Sequence, residues 1–414
     1  MVKEKLIIKN FAGFEHIEFD FKPINIFIGP QAAGKSVVVK LAYYFKSYLN
    51  DLYKFDRIHM PSELIDRYND LFYSYFPVES WSNKNFTIKY ILDKSFIIIS
   101  SSRKAKDWYI EVKFSKDIRE IIESLTEILE NNLDPQMINF STARNLRELK
   151  EKVKYKSVLQ SKQYFIPAGR SFFSNIQSNI FALLQSNNTI DPFIIEFGAN
   201  YEQAKVVFNK SSDIFRTHNK LSKLCSEILK GIYIRDNQID YLVQKDKRKI
   251  SLLNASSGQQ ETFPLLMFIQ TLFFPSNKEP KDPVLYIEEP ETHLYPVAQK
   301  QIVQVLSRLF NILINKQLFI TTHSPYILAA FNNLLEAGNI IKEKPELAEK
   351  VYKIIPKEEV LDIENFIAYS IKDGKKEVLI NEETNLVSQN MLDDASNEIA
   401  EEFGKLVDLE FGEE

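Results

Sequence analysis

The sequence predicts an α/β fold with a β-meander, a helical insert and no long coiled coil. Three apolar runs predict it. Asn25-Ile26-Phe27-Ile28 ends in the glycine loop Gly29-Pro30-Gln31-Ala32-Ala33-Gly34-Lys35-Ser36, which opens a helix. Val284-Leu285-Tyr286-Ile287 ends in the paired carboxylates Glu288 and Glu289. Leu318-Phe319-Ile320 ends in Thr321-Thr322-His323. Short apolar runs that alternate with helical patterns read as buried strands of a parallel sheet.

The other elements follow in chain order. Leu6-Ile7-Ile8 and Ile17 to Phe21 read as strands ahead of the glycine loop. Lys35 to Leu49 places Val38, Leu41 and Phe45 on one helical face. Phe86 to Ile88, Phe96 to Ile99 and Trp108 to Val112 alternate as a β-meander. Residues 115–133 and 141–160 read as charged helices, and neither sustains the three or four heptads of a coiled coil. Gln163 to Arg170 reads as a strand returning to the core, and residues 171–250 as mostly helical with short strands at the end. Ile302, Leu306, Leu309 and Leu313 keep helical spacing. Residues 351–355 and 376–380 read as strands, the second after the turn Asp373-Gly374. Leu392, Ile399, Phe403 and Leu406 share one face of an acidic helix, which packs on its own body or docks a partner. The implied division is a core of residues 1–50 and 250–380, an insert over 51–162, a return strand and helical segment over 163–249, and an acidic tail over 381–414.

The 414 residues suggest roughly two or three domain-sized units. A hydrophobic share of 44%, with 31 Phe and 19 Tyr, is enough for a sizeable core. The single cysteine, Cys225, excludes an internal disulfide, a zinc hook and an iron–sulfur cluster. No signal peptide and no apolar stretch of about 18 residues is visible, so the expected compartment is cytoplasmic, with no membrane partner. The net charge of −4 is uneven: residues 381–414 hold eleven acidic residues and one lysine, which leaves residues 1–380 at +6. That body permits a DNA-binding surface without demanding one.

The glycine loop fits the phosphate-binding P-loop pattern. Its glycines let backbone N–H groups approach phosphate oxygens, and the helix behind it adds its positive end. Lys35 reaches for the β- and γ-phosphates and the Ser36 hydroxyl for Mg²⁺. Glu288 and Glu289 stand at the end of a buried strand, where open α/β sheets bind ligands. Glu288 is the metal-shell candidate, and Glu289 the candidate to orient and deprotonate an attacking water. Ala255-Ser256-Ser257-Gly258-Gln259-Gln260-Glu261 precedes a helix that contains Pro264; Ser257 and Gln260 have capping-box spacing, and a capped helix start is also an anion site. His293 reads as a second sensor or as a helix-start residue. Arg170 reads as a phosphate or partner contact or as a structural arginine. Phe11 and Phe14 are candidates to stack on adenine.

These motifs, in this order, resemble those of the ABC-type ATPases of the SMC, RecF and OLD group. The match covers residues 1–50 and 250–330, and more loosely 163–170. Glu288-Glu289-Pro290-Glu291-Thr292-His293-Leu294-Tyr295-Pro296 is especially similar to the OLD type. Where that pattern has Asp and then Glu, this chain has Glu288, so its metal geometry departs. The resemblance implies that Ser256, Ser257, Gly258 and Gln259 bind the γ-phosphate held by a second copy, that His323 senses this phosphate, and that ATP and Mg²⁺ are the cofactors. It implies a two-lobed ATPase head and a homodimer closed on ATP, with higher assemblies also found in the group. OLD nucleases continue into a TOPRIM domain, whereas about ninety residues follow His323 and they hold no glutamate followed by a DxD cluster. The five histidines are scattered, which argues against an HNH nuclease.

The pattern is similar to the ATPase subunits of anti-phage systems, Septu and above all PARIS, in which the ATPase restrains a separate TOPRIM-type nuclease effector until a viral trigger protein appears. A RecF-like, DNA-binding repair ATPase is the alternative. A transporter subunit is disfavoured by the roughly 220 residues between P-loop and Ser256, and by the lack of a clear Q-loop.

Overall fold

A computed structural model describes residues 3–54, 60–82, 84–104, 107–130, 144, 148, 161–176, 190–210, 220–237, 239–273, 283–313, 316–388 and 401–406. In chain order, strands β1 (Glu4–Phe11), β2 (Phe14–Phe21) and β3 (Ile24–Ile28) lead into helices α1 (Lys35–Lys54) and α2 (Pro61–Tyr75). Strands β4 (Thr87–Leu92), β5 (Ser95–Lys104) and β6 (Asp107–Phe114) precede α3 (Lys116–Glu130). Then come β7 (Gln163–Ile166), α4 (Phe172–Ile176), α5 (Pro192–Lys210), α6 (Lys220–Leu229), β8 (Ile232–Asp236), β9 (Ile239–Val243) and β10 (Lys249–Ser251). The last part holds α7 (Ser257–Leu272), β11 (Val284–Glu288), α8 (Pro296–Ile312), β12 (Gln317–Thr322), α9 (Pro325–Glu343), α10 (Ala348–Val351), β13 (Phe366–Lys372), β14 (Lys375–Val378), β15 (Ile380–Asn381) and β16 (Leu386–Val387).

Two sheets carry the architecture. The central one has the order β14-β13-β3-β12-β11-β7 and is parallel from β13 to β7. The second is antiparallel, in the order β2-β1-β4-β5-β6, so the meander extends the N-terminal hairpin. Side chains alternate along each central strand. Ile24, Ile26, Leu285, Ile287, Leu318 and Ile320 face helices α5 to α9 in one core. Phe27, Phe165, Tyr286, Phe319 and Tyr369 face the opposite way, toward α1 and the antiparallel sheet, in a second core. Tyr286 stacks on Phe319 at 4.8 Å between ring centres. The central sheet therefore has an aliphatic face and an aromatic face, which accounts for the high Phe and Tyr content.

A buried polar knot ties the two sheets to α1. Lys46 of α1 lies 3.1 Å from the Glu4 carboxylate of β1 and also bonds Gln317 of β12, while the Tyr90 hydroxyl donates to Glu4 at 2.7 Å. Such groups enter a core only when they are paired.

The α/β class stands, and no long coiled coil is present among the described residues. Several element expectations are corrected. Residues 351–355 form no strand; Val351 ends α10 and 352–355 follow it as a turn, because Tyr352, Ile354 and Ile355 bond back to Ala348 and Val351. Strand β13, which the sequence pattern does not mark, pairs with β3 on the side opposite β12. The capping box of α7 joins Ser256 with Gln259, not Ser257 with Gln260; Gln260 bonds the carbonyls of Leu252 and Leu253 instead. Pro264 sits within α7 without ending it. Most of 141–160, and Leu392 and Ile399 in the tail, lie outside the described residues. Phe403 and Leu406 are helical and exposed.

Candidate functional site

The C-terminal ends of β3, β12, β11 and β7 lie side by side at one sheet edge, and each delivers part of the site. After β3 the loop turns tightly. Gly29 passes so close to β13 that a Cβ would stand 2.0 Å from the Ile371 carbonyl oxygen. Gly34 has φ +94, and a Cβ there would meet the Phe14 ring at 2.4 Å. Ala32 takes a left-handed φ of +60. The loop releases Lys35 and Ser36 at the first turn of α1, with Gln31 and Ala32 exposed.

Lys35 is 5% exposed, and its ammonium donates to the carbonyls of Gly29 at 2.9 Å and Pro30 at 2.7 Å. It also lies 3.3 Å from His323 Nε2. Burial lowers its pKa below the ordinary lysine value, opposed by the charges of Glu289 and Glu291. His323 Nε2 is 3.1 Å from Glu289 Oε1. The structure thus brings Lys35, His323 and Glu289 into one chain of contacts.

Local backbone sets these positions. Glu289 leaves β11 with φ +42, a conformation costly for a residue with a Cβ. Its N–H donates to the Thr321 carbonyl at 3.0 Å, and its carbonyl accepts from the Thr292 hydroxyl at 2.9 Å. Glu291 fixes His323: its Oε1 accepts the His323 N–H and the Thr322 hydroxyl, both at 2.7 Å. The sequence shows Glu291 only as part of a motif and gives no sign of this role.

Glu288 is 7% exposed. Its Oε2 accepts from the Ala168 N–H at 3.3 Å, while Oε1 is buried and has no hydrogen-bond partner among the described residues. An orphaned buried carboxylate oxygen calls for a further donor or a cation. Together with the hydroxyl of Ser36, it fits an oxygen-ligand ion such as Mg²⁺. Among the described residues no group of three or more His, Cys, Asp or Glu forms a metal cluster of its own.

Ser256, Ser257, Gly258 and Gln259 open α7. Ser256 and Ser257 are exposed, and among the described residues no hydrogen bond joins these four to the P-loop. Gly258 packs against the loop after Glu289; a Cβ there would stand 2.7 Å from the His293 carbonyl oxygen. His293 is exposed with φ +60. Phe11 and Phe14 are both buried rather than open to a nucleotide base: Phe11 packs against Phe76 and Phe86, and the Phe14 ring lies under Gly34 of the loop. Arg170 is fully buried, and its guanidinium donates to main-chain carbonyls, those of Glu288 and Glu289 among them.

A P-loop beside strand-end carboxylates and a histidine defines a P-loop nucleotide site on an α/β sheet. The AAA ATPase domain family matches residues 1–205 and 168–328, and the chain belongs to that family. It is an ATPase of this class. No curated protein gives a significant sequence match. Similar solved structures include the SMC head domain from Thermotoga maritima, at 10% identity over 91% of this chain and 98% of that chain, with TM-score 0.36. They also include an Smc head domain derived from Pyrococcus furiosus and bound to the C-terminal domain of ScpA, at 13% identity, 97% and 100% coverage and TM-score 0.37. The recombination mediator RecF aligns at 13% identity, 92% and 98% coverage and TM-score 0.31. Among the described residues no helix is long and apolar enough to cross a membrane.

Proposed function

We propose that this chain is an ATP-hydrolysing switch that acts as a closed pair of copies and controls a separate nuclease effector in anti-phage defence. The observation that carries the chemistry is the contact chain Lys35–His323–Glu289 at the P-loop edge. In this reading Lys35 binds the β- and γ-phosphates, and the N–H groups of Gln31 to Gly34 line them. Ser36 and Glu288 hold Mg²⁺, which supplies positive charge to the phosphates when bound. Glu289 accepts the proton of a water whose oxygen attacks the γ-phosphorus. The bond from that phosphorus to the bridging oxygen breaks, giving ADP and phosphate. His323, held by Glu291, senses the γ-phosphate.

The exposed, capped start of α7 supports a site for the phosphate of a second copy. Leu253, Tyr295 (78% exposed) and Tyr326 (53% exposed), each adjoining a site motif, support a covering protein surface there. The defence role, its TOPRIM-type nuclease and its viral trigger rest on the motif resemblance of residues 256–261 and 288–296.

The test uses Glu289→Gln. It is expected to bind ATP, to hydrolyse it about 100-fold or more slowly, and to run as a dimer with ATP in size-exclusion chromatography with light scattering. Hydrolysis at the wild-type rate would remove Glu289 from the role of base, and a monomer in ATP would remove the paired site. Co-expressed with its neighbouring genes, the same variant is expected to co-purify with a stoichiometric nuclease. Recovery of DNA without such a protein, with steep salt dependence, would replace the defence reading with a DNA-repair one.

A further inference from the structure

Arg170 heads the fully buried large side chains of the described residues, and it lies in none of the contacts proposed for ATP. A guanidinium has five N–H donors, and four hydrogen bonds and one ion-pair contact engage them here. Nε donates to the Glu261 carbonyl at 3.0 Å. Nη1 donates to the carbonyls of Pro167 at 2.7 Å and Glu288 at 2.8 Å. Nη2 donates to the Glu289 carbonyl at 3.1 Å and lies 3.4 Å from Glu261 Oε1. The Glu261 carboxylate in turn accepts the N–H groups of Arg170 and Ser171, both at 2.8 Å.

Two of these acceptors have a particular geometry. The Glu288 and Glu289 carbonyls belong to the two peptide planes that flank the Glu289 Cα. A rigid planar fork that bonds both planes fixes the rotation between them, and so holds Glu289 at its left-handed φ of +42. The other side of the fork grips Glu261 in α7, the helix that Ser256 caps. One buried side chain therefore joins the start of α7 to the backbone that aims Glu289.

We infer that Arg170, backed by Glu261, is a positioning residue that sets the aim of Glu289 and couples it to the exposed start of α7. This rests on the reading of Glu289 as the base. A structural arginine alone would stabilise the fold without acting on the chemical step. The coupling role places its effect on kcat, because a displacement of about 1 Å at a reacting group lowers rates about 100-fold.

The test compares Arg170→Lys and Glu261→Gln in the full chain. Lysine keeps the charge but cannot bond both peptide planes at once. For folded Arg170→Lys, judged by circular dichroism, we expect unchanged KM and nucleotide affinity and a kcat about 100-fold lower. Glu261→Gln retains an acceptor and replaces the other with a donor, and should move kcat in the same direction by less. Combining Arg170→Lys with Glu289→Gln should lose nothing beyond Glu289→Gln alone, since both act through one carboxylate. A wild-type kcat in folded Arg170→Lys, a further loss in the double variant, or failure of both single variants to fold would each overturn the inference. Wild-type hydrolysis by Glu289→Gln would instead reject the assignment of the base.

Discussion

Gly29→Ala is the sharpest test of how the P-loop is seated. Its new Cβ would stand 2.0 Å from the Ile371 carbonyl oxygen and 3.1 Å from the carbonyl carbon. Those atoms are backbone of a strand paired to β3, with Tyr369 opposite Phe27 and Ser370 opposite Ile28, so no rotamer change relieves the clash. Non-bonded atoms settle near 3.5 Å, so loop and strand must part by roughly 1.5 Å. Overpacking of this kind costs about 1–3 kcal/mol. The loss of two ladder hydrogen bonds adds about 1 kcal/mol each. A total of roughly 3–5 kcal/mol is a large share of the 5–15 kcal/mol typical of a domain. The loop that holds Lys35 shifts with the strand, so nucleotide affinity should fall alongside stability. Thermal denaturation is expected to show a Tm lower by roughly 5–10 °C, and titration with a fluorescent ATP analogue a loss of about 100-fold. Unchanged Tm and affinity would refute the close approach of β13 to the loop.

Glu196 accepts a 2.5 Å hydrogen bond from the Tyr43 hydroxyl, and burial raises its pKa above the ordinary carboxylate value. Its contribution to stability is full below the unfolded value of about 4.3 and is lost as pH rises through the raised folded value. Glu196→Gln, which keeps the acceptor without the charge, should therefore gain Tm over wild type at pH 8 and not at pH 4; a constant difference across that range would refute this. Lys46→Met strands the buried Glu4 carboxylate and should cost about 3–5 kcal/mol in urea unfolding. Adding Glu4→Leu should recover much of that loss, and simple additivity of the two changes would argue against the ion pair. Cys225 is 2% exposed, and burial pushes its thiol up to about 12. It should resist a thiol reagent at pH 8 in the native protein and react in denaturant; fast native labelling would contradict its burial.

The strands that carry the site were legible because each is a short apolar run that ends in an unusual polar group. Glu288 and His323 could be placed at a sheet edge from that pattern alone. Strand β13 was not legible: Phe366 to Lys372 reads as an ordinary mixed run, and only its pairing with β3 gives it meaning. The error at 351–355 has the opposite cause. Val351, Ile354 and Ile355 look like strand residues, but hydrogen bonds within a turn win over that local preference. Phe11 and Phe14 passed as base-stacking candidates because sequence cannot tell an aromatic residue in a core from one on a surface. Glu261 and Arg170 were the least readable. Most of their partners are main-chain groups, and main-chain donors and acceptors leave no trace in side-chain identity.

The site also depends on residues that never approach a phosphate. Side chains on a strand alternate with period two, so a slip of one residue in β11 would carry Tyr286 from the aromatic face into the aliphatic one. The register actually adopted sets Tyr286 opposite Phe319 and Glu288 opposite Thr321. That register lets the two rings stack, and it also delivers the Glu289 N–H to the Thr321 carbonyl at 3.0 Å. From there the strained turn at Glu289 points its carboxylate at His323, whose own N–H is fixed by Glu291. The aromatic layer thus acts on the chemistry through register: the packing that excludes a slipped strand also excludes a misplaced carboxylate.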